Sequence, residues 1–219
     1  MSIKKNTVKK TKNQILTLVI EHSRIIYNVI SEMGVFYTSW KEDPKGNKEE
    51  LEKKKSKLQM LEEDADAIKI RLIKEFSEAG TQGMGNYMSL ILRMDNVINS
   101  ALEFVDLISK IHTLNEVNNN IESRYDKLIN EILKMTDILK LAIKNLQNKP
   151  QKVLENTTTI HEIENEIDII FRDFLDYLYD NDNLGIRLIF RLRDSIKVLE
   201  ELADRIHDIG DLLRVIRYS

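Results

Sequence analysis

Cysteine is absent from this chain of 219 residues, proline occurs twice and glycine seven times. Each shortage excludes something. Without cysteine there is no disulfide framework, thiolate nucleophile or iron–sulfur cluster, and any bound metal must be held by oxygen and imidazole. No apolar run approaches the roughly 18 residues that a bilayer-spanning helix needs. The basic start, MSIKKNTVKKTKN, lacks the apolar stretch of a secretory signal. These absences lead us to expect a soluble, cytoplasmic protein. Charge of neither sign dominates, with 33 Lys and Arg against 36 Asp and Glu for a net of -3, which argues against a protein that coats nucleic acid. A hydrophobic content of 42% excludes a disordered polymer. A chain this long buries roughly 70% of its unfolded surface and needs no staples.

The scarcity of Pro and Gly bears on fold class, because sheets and hairpins use these residues in turns and long helices avoid them. They are also clustered. Asp43 to Asn47 (DPKGN), Gly80 to Gly85 (GTQGMG), Asn148 to Gln151 (NKPQ) and Asp180 to Gly185 (DNDNLG) cut the chain into long segments, and the run Asn118 to Asn120 adds a fifth cut. Between the cuts the apolar residues repeat with helical period, most clearly in the last segment. There Leu192, Leu199, Ile206 and Leu213 recur every seven residues beside Ile189, Ile196, Ala203 and Gly210. Such spacing packs long helices at a shallow angle. The prediction is an all-α protein with helices over 11–40, 48–79, 87–113, 121–147, 151–179 and 184–217, preceded by a flexible basic tail over 1–11. Ser31 to Gly34 and Gly210 are the weak points of otherwise continuous helices.

The turns themselves repeat. Pro44 and Pro150 lie 106 residues apart, and Gly80 and Gly185 lie 105 apart. Two tandem, antiparallel three-helix units follow, over 12–115 and 116–219, packed as one body. Leu61 to Phe76 aligns with Ile163 to Leu178 at an offset of 102, placing Glu62 on Glu164 and Asp66 on Asp168. In the third helices the offset is 105, and Asp95 meets Glu200, Asn99 meets Asp204, and Asp106 meets Asp211.

Positions four apart lie about 40° apart around a helix, one turn above each other. Glu62 with Asp66, Glu164 with Asp168, Glu200 with Asp204, and Asp95 with Asn99 are therefore four oxygen-rich pairs, each on the shoulder of an apolar stripe. Like charges so placed repel, more strongly when partly buried. A cation is one remedy: calcium and magnesium accept all-oxygen ligands, and manganese or iron accept carboxylate with occasional imidazole. In the last helix the row Glu200, Asp204, His207, Asp211 adds one imidazole. The plainer remedy is ion pairing with Lys or Arg, since acidic residues four apart are common in a chain that is 32% charged.

Two three-helix units carrying LEEDAD, IENEID and LEELAD on their second and third helices resemble the PhoU family of phosphate-uptake regulators. The stretch LIFRLRDSIKVLEELADRIHDIGDLL, Leu188 to Leu213, is most similar to the branch associated with Pit-type inorganic phosphate permeases. The resemblance extends from about Lys12 to the end of the chain. It implies a six-helix PhoU-like bundle, not an enzyme, that acts on phosphate transport or its signalling at the inner face of the membrane. It also implies metal clusters, iron or zinc, on the acidic faces at Glu62, Asp66, Asp95, Asn99, Glu164, Asp168, Glu200 and Asp204. A phosphate permease is the implied partner, with phosphate held through metal; self-association as a homo-oligomer is left open. Asn99 departs from the acid of the motif, so a cluster is better supported in the second unit.

Two other classes compete. A carboxylate-bridged, metal-dependent oxidase or iron-binding bundle wants Glu-x-x-His from each of two helices, and Asp204 with His207 is the nearest approach. A metal-free helical adaptor would pair its acids with basic residues throughout. Neither a P-loop nor a dinucleotide fingerprint occurs. His22, His112 and His161 read as ordinary helix-surface or interface residues. Lys4, Lys5, Lys9, Lys10 and Lys12, with Arg187, Arg191, Arg193, Arg205, Arg214 and Arg217, could meet an anionic membrane surface or remain solvated. Phe36, Tyr37 and Trp40 are expected to pack against the neighbouring turn rather than form an exposed patch.

Overall fold

The computed structural model describes residues 2–43, 48–79, 85–111 and 119–218. Six helices account for almost all of them: α1 (Ser2–Glu42), α2 (Lys48–Ala79), α3 (Gly85–Ile108), α4 (Asn119–Asn148), α5 (Lys152–Tyr179) and α6 (Ile186–Tyr218). The turns expected at 44–47 and 80–84, and His112, lie outside the described residues. Helix α1 extends back to Ser2 through the stretch expected to be a tail; no Pro or Gly interrupts it. Helix α3 ends sooner than its apolar pattern predicts. Its exit tightens into i→i+3 bonds, Lys110 N to Leu107 O at 3.2 Å and Ile111 N to Ile108 O at 3.0 Å. The carbonyls released there are taken by side chains: Arg191 Nη1 donates to Lys110 O at 2.6 Å and Trp40 Nε1 to Ile111 O at 3.1 Å.

How many apolar rows a helix carries decides where it sits. Helix α1 buries Ile15, Val19, Ile26, Ile30, Met33, Tyr37 and Trp40 with Val29 and Phe36 alongside, and α4 buries Ile121, Tyr125, Leu128, Ile132, Met135 and Leu139 with Ile129 and Ile143. Helices α3 and α6 show the same wide stripe. In α2 the buried positions are a narrower file, Leu51, Leu58, Ala65 and Leu72, at steps of seven, with Ile68 and Phe76 beside it. The packing follows from this difference. Helix α3 lies against α6 and α1 against α4, making a four-helix centre, while among the described residues α2 touches α1 and α3, and α5 touches α4 and α6. The flanking helices need one apolar face each, so their shoulders are half-covered and their backs are wet.

An aromatic cluster joins the units at one end. Tyr125 stands edge-on to Phe174, ring centroids 4.9 Å apart, and lies 5.5 Å from Tyr37, which lies 5.9 Å from Trp40. The Tyr125 hydroxyl donates to Ser195 Oγ, whose own proton goes to Leu192 O. Phe36, Tyr37 and Trp40 are thus core and form no exposed patch; the turn expected beside them lies outside the described residues.

Most of the arginines of α6 are committed to this framework instead of forming a free basic surface. Besides Arg191, Arg205 donates to Asn96 O at 2.8 Å and to Ser100 Oγ, Arg214 Nε to Thr157 Oγ1 at 2.9 Å, and Arg217 Nε to Pro150 O at 2.9 Å. Arg193 lies against its neighbour Asp194, and Arg187 is exposed.

Trp40→Ala is expected to lower the unfolding free energy by about 3–5 kcal/mol in urea titration, because it removes the largest core side chain and leaves Ile111 O unpaired. Tyr125→Phe, which leaves Ser195 bonded to Leu192, should cost about 1 kcal/mol.

Candidate metal centre

In an antiparallel helix pair, residues lie level when their numbers sum to a constant. His161 of α5 stacks on His207 of α6, with ring centroids 5.0 Å apart and planes 29° apart, and Nδ1 of the first lies 3.2 Å from Nε2 of the second. Their sum, 161 plus 207, is 368. Glu164 then falls level with Asp204, and Asp168 with Glu200, giving three rungs about 4.5–6 Å apart along the helices. The observed contacts follow this ladder. His161, Glu164 and His207 each bring a ligand atom within 4.8 Å of the others, and so do Glu164, Asp168 and Asp204.

Gly210 lies beside the imidazole rung and faces the Ile160 side chain of α5. A Cβ added at Gly210 would meet Ile160 Cγ2 at 3.4 Å, ordinary van der Waals contact, so a methyl group fits there and a longer side chain would have to displace Ile160. Gly210 does not break α6, which is helical through it.

Hydrogen bonds fix the tautomers of the pair. Asn165 Nδ2, anchored on His161 O at 2.8 Å, also faces His161 Nε2 at 3.3 Å. With Nε2 accepting, the His161 proton sits on Nδ1 and donates to Nε2 of His207. A cation held between the rings would take the place of that proton. Glu164 Oε2 stands 3.7 Å from His161 Nδ1 and its side chain is only 15% exposed, so it faces the pair rather than solvent.

Electrostatics marks the same face. Burial first, then the charges of Asp204 and Asp168, push the Glu200 carboxyl from 4.5 up to about 7. Asp204 is also raised, by burial first and then Asp168, with His207 opposing. Among the described residues the nearest basic relief is peripheral: Arg172 reaches Asp168 at 3.4 Å, and Lys197 pairs with Glu201, not Glu200. Asp211 stands apart from the ladder and pairs with Arg214 at 3.3 Å.

The first unit solves its charge problem differently. Lys69 Nζ bridges Asp66 and Asp95, the latter at 2.9 Å. Burial pulls that ammonium down, but the hydrogen bonds to both carboxylates outweigh it and hold it above the ordinary lysine value. Glu62 is raised by burial and then by Asp66 and Asp95. Asn99 is exposed on α3. Here the plainer remedy, an internal lysine, has won.

Two histidines depart from the expectation of ordinary helix-surface or interface residues. His161 joins the ladder. A pattern set as Glu-x-x-His passes over it because the order is reversed: His161-x-x-Glu164-x-x-x-Asp168 places all three on one face of α5. His22 is fully buried in α1 with neither ring nitrogen bonded. Burial foremost keeps it neutral, lowered to about 4, and the charges acting on it are those of Asp95, Lys69 and Asp66.

Carboxylates with imidazole form a mixed oxygen–nitrogen donor set, which suits zinc, iron, manganese or cobalt better than the all-oxygen preference of calcium or magnesium. Helices, site and repeat together define an all-α, six-helix protein of PhoU-like fold with one acidic–imidazole face. A PhoU-like phosphate regulatory protein from Shewanella oneidensis MR-1 superposes with a TM-score of 0.77 at 15% identity, over 92% of this chain and 97% of that one. A PhoU-like protein from the same organism gives 0.78 at 15% identity, over 93% and 99%. The likeness is one of fold. No family model and no curated protein matches the chain.

A carboxyl whose value is raised by folding stabilises the fold only while protonated. The contribution of Glu200 is complete below about 4.5 and lost as the pH rises to about 7. Metal-free protein should therefore melt at falling temperature from about pH 5 to about pH 8, and Glu200→Gln should flatten that slope and raise the melting point at its upper end. Thermal melts across the range check both. Gly210→Leu is expected to keep the helical circular dichroism while weakening divalent-metal affinity by about tenfold or more, measured by calorimetry.

Proposed function

We propose that this chain is a PhoU-like regulator of inorganic phosphate uptake whose second unit holds a metal centre, and that it is not an enzyme. The observation that carries the reading is the convergence on one α5–α6 face of two overlapping ligand sets that share Glu164: His161, Glu164 and His207, and Glu164, Asp168 and Asp204. Two PhoU-like structures of the same fold, one described as a phosphate regulatory protein, support the biological setting. Glu200 completes the negative field as a neighbour of Asp168 and Asp204.

The centre sits on a flank, not in the middle of the bundle. His161 is half exposed, so an ion held there is open to solvent and to a further ligand. A bound zinc, iron or manganese ion would neutralise the carboxylates and offer its remaining positions to an anion such as phosphate. The oxidase reading is disfavoured by this placement, because carboxylate-bridged oxidase sites are built inside a helical bundle from inward-facing residues. No helix among the described residues is long and apolar enough to cross a membrane. We assign the chain to the cytoplasmic face as an accessory of a Pit-type permease.

Elemental analysis of purified protein tests the centre: zinc, iron or manganese should be present, and Glu164→Gln with Asp204→Asn should remove it. At saturating metal, chelation should lower the melting temperature by about 5–10 °C, and co-purified phosphate should leave with the metal. Metal-free protein whose melting point ignores each of these ions sinks the proposal. Loss of metal without loss of phosphate would confine the metal to a structural role.

A further inference from the structure

Beyond the ladder, the α5–α6 face runs on to the turn that joins the two helices, and its chemistry changes on the way. On α6, steps of three and four lead from Glu200 through Lys197, Arg193 and Phe190 to Ile186, all on the stripe that carries Asp204 and His207. On α5, steps of four, three and four lead from Asp168 through Arg172 and Leu175 to Tyr179. Residues that sum to 368 lie level, as His161 and His207 do, so Tyr179 falls level with Ile189, next to Phe190. The face therefore ends in an apolar and aromatic group, with Tyr179 57%, Ile186 63% and Phe190 50% exposed. Arg193 holds its guanidinium over the Phe190 ring at 5.5 Å and pairs with Asp194 at 2.9 Å.

The fold does not require this group. With the offsets of 102 and 105, Ser77 stands for Tyr179 and Gly85 for Phe190 in the first unit. Exposed Tyr, Phe and Ile gathered around an arginine have the makeup of the centre of a protein interface.

On the other side of Tyr179 the surface is acidic. A cleft of about 480 Å³ is lined by Arg124, Asp173, Asp176, Tyr177, Asp180 and Asp182. Arg124 is already engaged, stacked on Tyr177 at 4.3 Å and paired with Asp173 at 3.0 Å. Among the described residues, Asp176, Asp180 and Asp182 have no ion pair. Because Tyr179 and Asp180 are consecutive, the apolar group and the three free carboxylates form one surface. Its charge repels an anionic lipid headgroup and attracts a cationic protein segment. Cytoplasmic loops of membrane proteins carry such segments, since they are enriched in Lys and Arg close to the apolar stretches that enter the bilayer.

We propose that the α5–α6 turn end is a docking surface for a Lys- and Arg-rich, amphipathic segment of a membrane protein's cytoplasmic loop. Apolar residues of that segment cover Tyr179, Ile186 and Phe190, and its basic residues enter the cleft at Asp176, Asp180 and Asp182. The membrane setting rests on the function proposed above, whereas the surface and its chemistry stand without the metal centre.

A fluorescein-labelled peptide of Leu and Lys at helical amphipathic spacing serves as probe, titrated with full-length protein by fluorescence anisotropy. The protein should bind it, should ignore the counterpart with Glu for Lys, and should lose affinity as salt rises from about 0.05 M to about 0.5 M. Ile186→Ser with Phe190→Ser should weaken binding by about tenfold or more, and so should Asp176→Asn with Asp180→Asn and Asp182→Asn. All five positions are exposed, so helical circular dichroism should be unchanged. Glu164→Gln with Asp204→Asn should leave the affinity within about twofold, so that binding by a protein without metal upholds the surface while the metal centre falls. No binding of the Leu/Lys peptide overturns the proposal, as does binding that both surface variants retain or that only the Glu164 and Asp204 variant loses. Pelleting with phosphatidylglycerol vesicles that Ile186→Ser with Phe190→Ser abolishes would make the surface a lipid anchor instead. Self-association in sedimentation equilibrium that the same variant abolishes would give it to a second copy of the chain, and either result also overturns the proposal.

Discussion

Burial of the wide apolar stripes of α1, α3, α4 and α6 against one another is the constraint from which the rest of the molecule follows. Those four helices have two covered rows each and can satisfy them only in the centre. Helices α2 and α5, with a narrower file, are left on the flanks. Every acidic shoulder of the sequence then falls at a junction between a flanking helix and a central one. That is the half-buried setting in which a carboxylate neither enjoys full hydration nor finds an apolar reason to be there.

Such junctions need positive charge, and the two copies of the repeat meet the need in different ways. In the first, Lys69 lies between Asp66 and Asp95. In the second the ion pair of Arg172 with Asp168 lies at the edge; two imidazoles stack at one end of the ladder and Glu200 is pushed up to about 7 at the other. A face that relieves repulsion by holding protons, and that carries nitrogen donors beside oxygen ones, is suited to exchanging protons for a metal ion. The near-neutral total charge therefore conceals an uneven distribution. The arginines that might have formed an opposing basic surface on α6 mostly cap carbonyls and hydroxyls of α3, α5 and the turns.

Much of this was legible in the chain before folding. Helical period and sparse, clustered Pro and Gly suffice for six helices, because each depends on local propensity or on spacing along one helix. Glu164, Asp168, Asp204 and His207 stand out for the same reason. His161 does not, since its partner across the gap, His207, is 46 residues away and only the antiparallel pairing of α5 with α6 makes them level. Lys69 is likewise an unremarked lysine among many until α3 brings Asp95 to it.

The sequence by itself determined the all-α class, the number of helices and the acidic pairs, because those are written in intervals of three, four and seven residues along a single helix. Tertiary structure decided which carboxylates share the Lys69 ammonium, which histidine joins the acidic ladder and which is core. Those properties depend on distances between helices. They are set by the antiparallel pairing of α5 with α6 and by the reach of one lysine side chain, which no periodicity encodes.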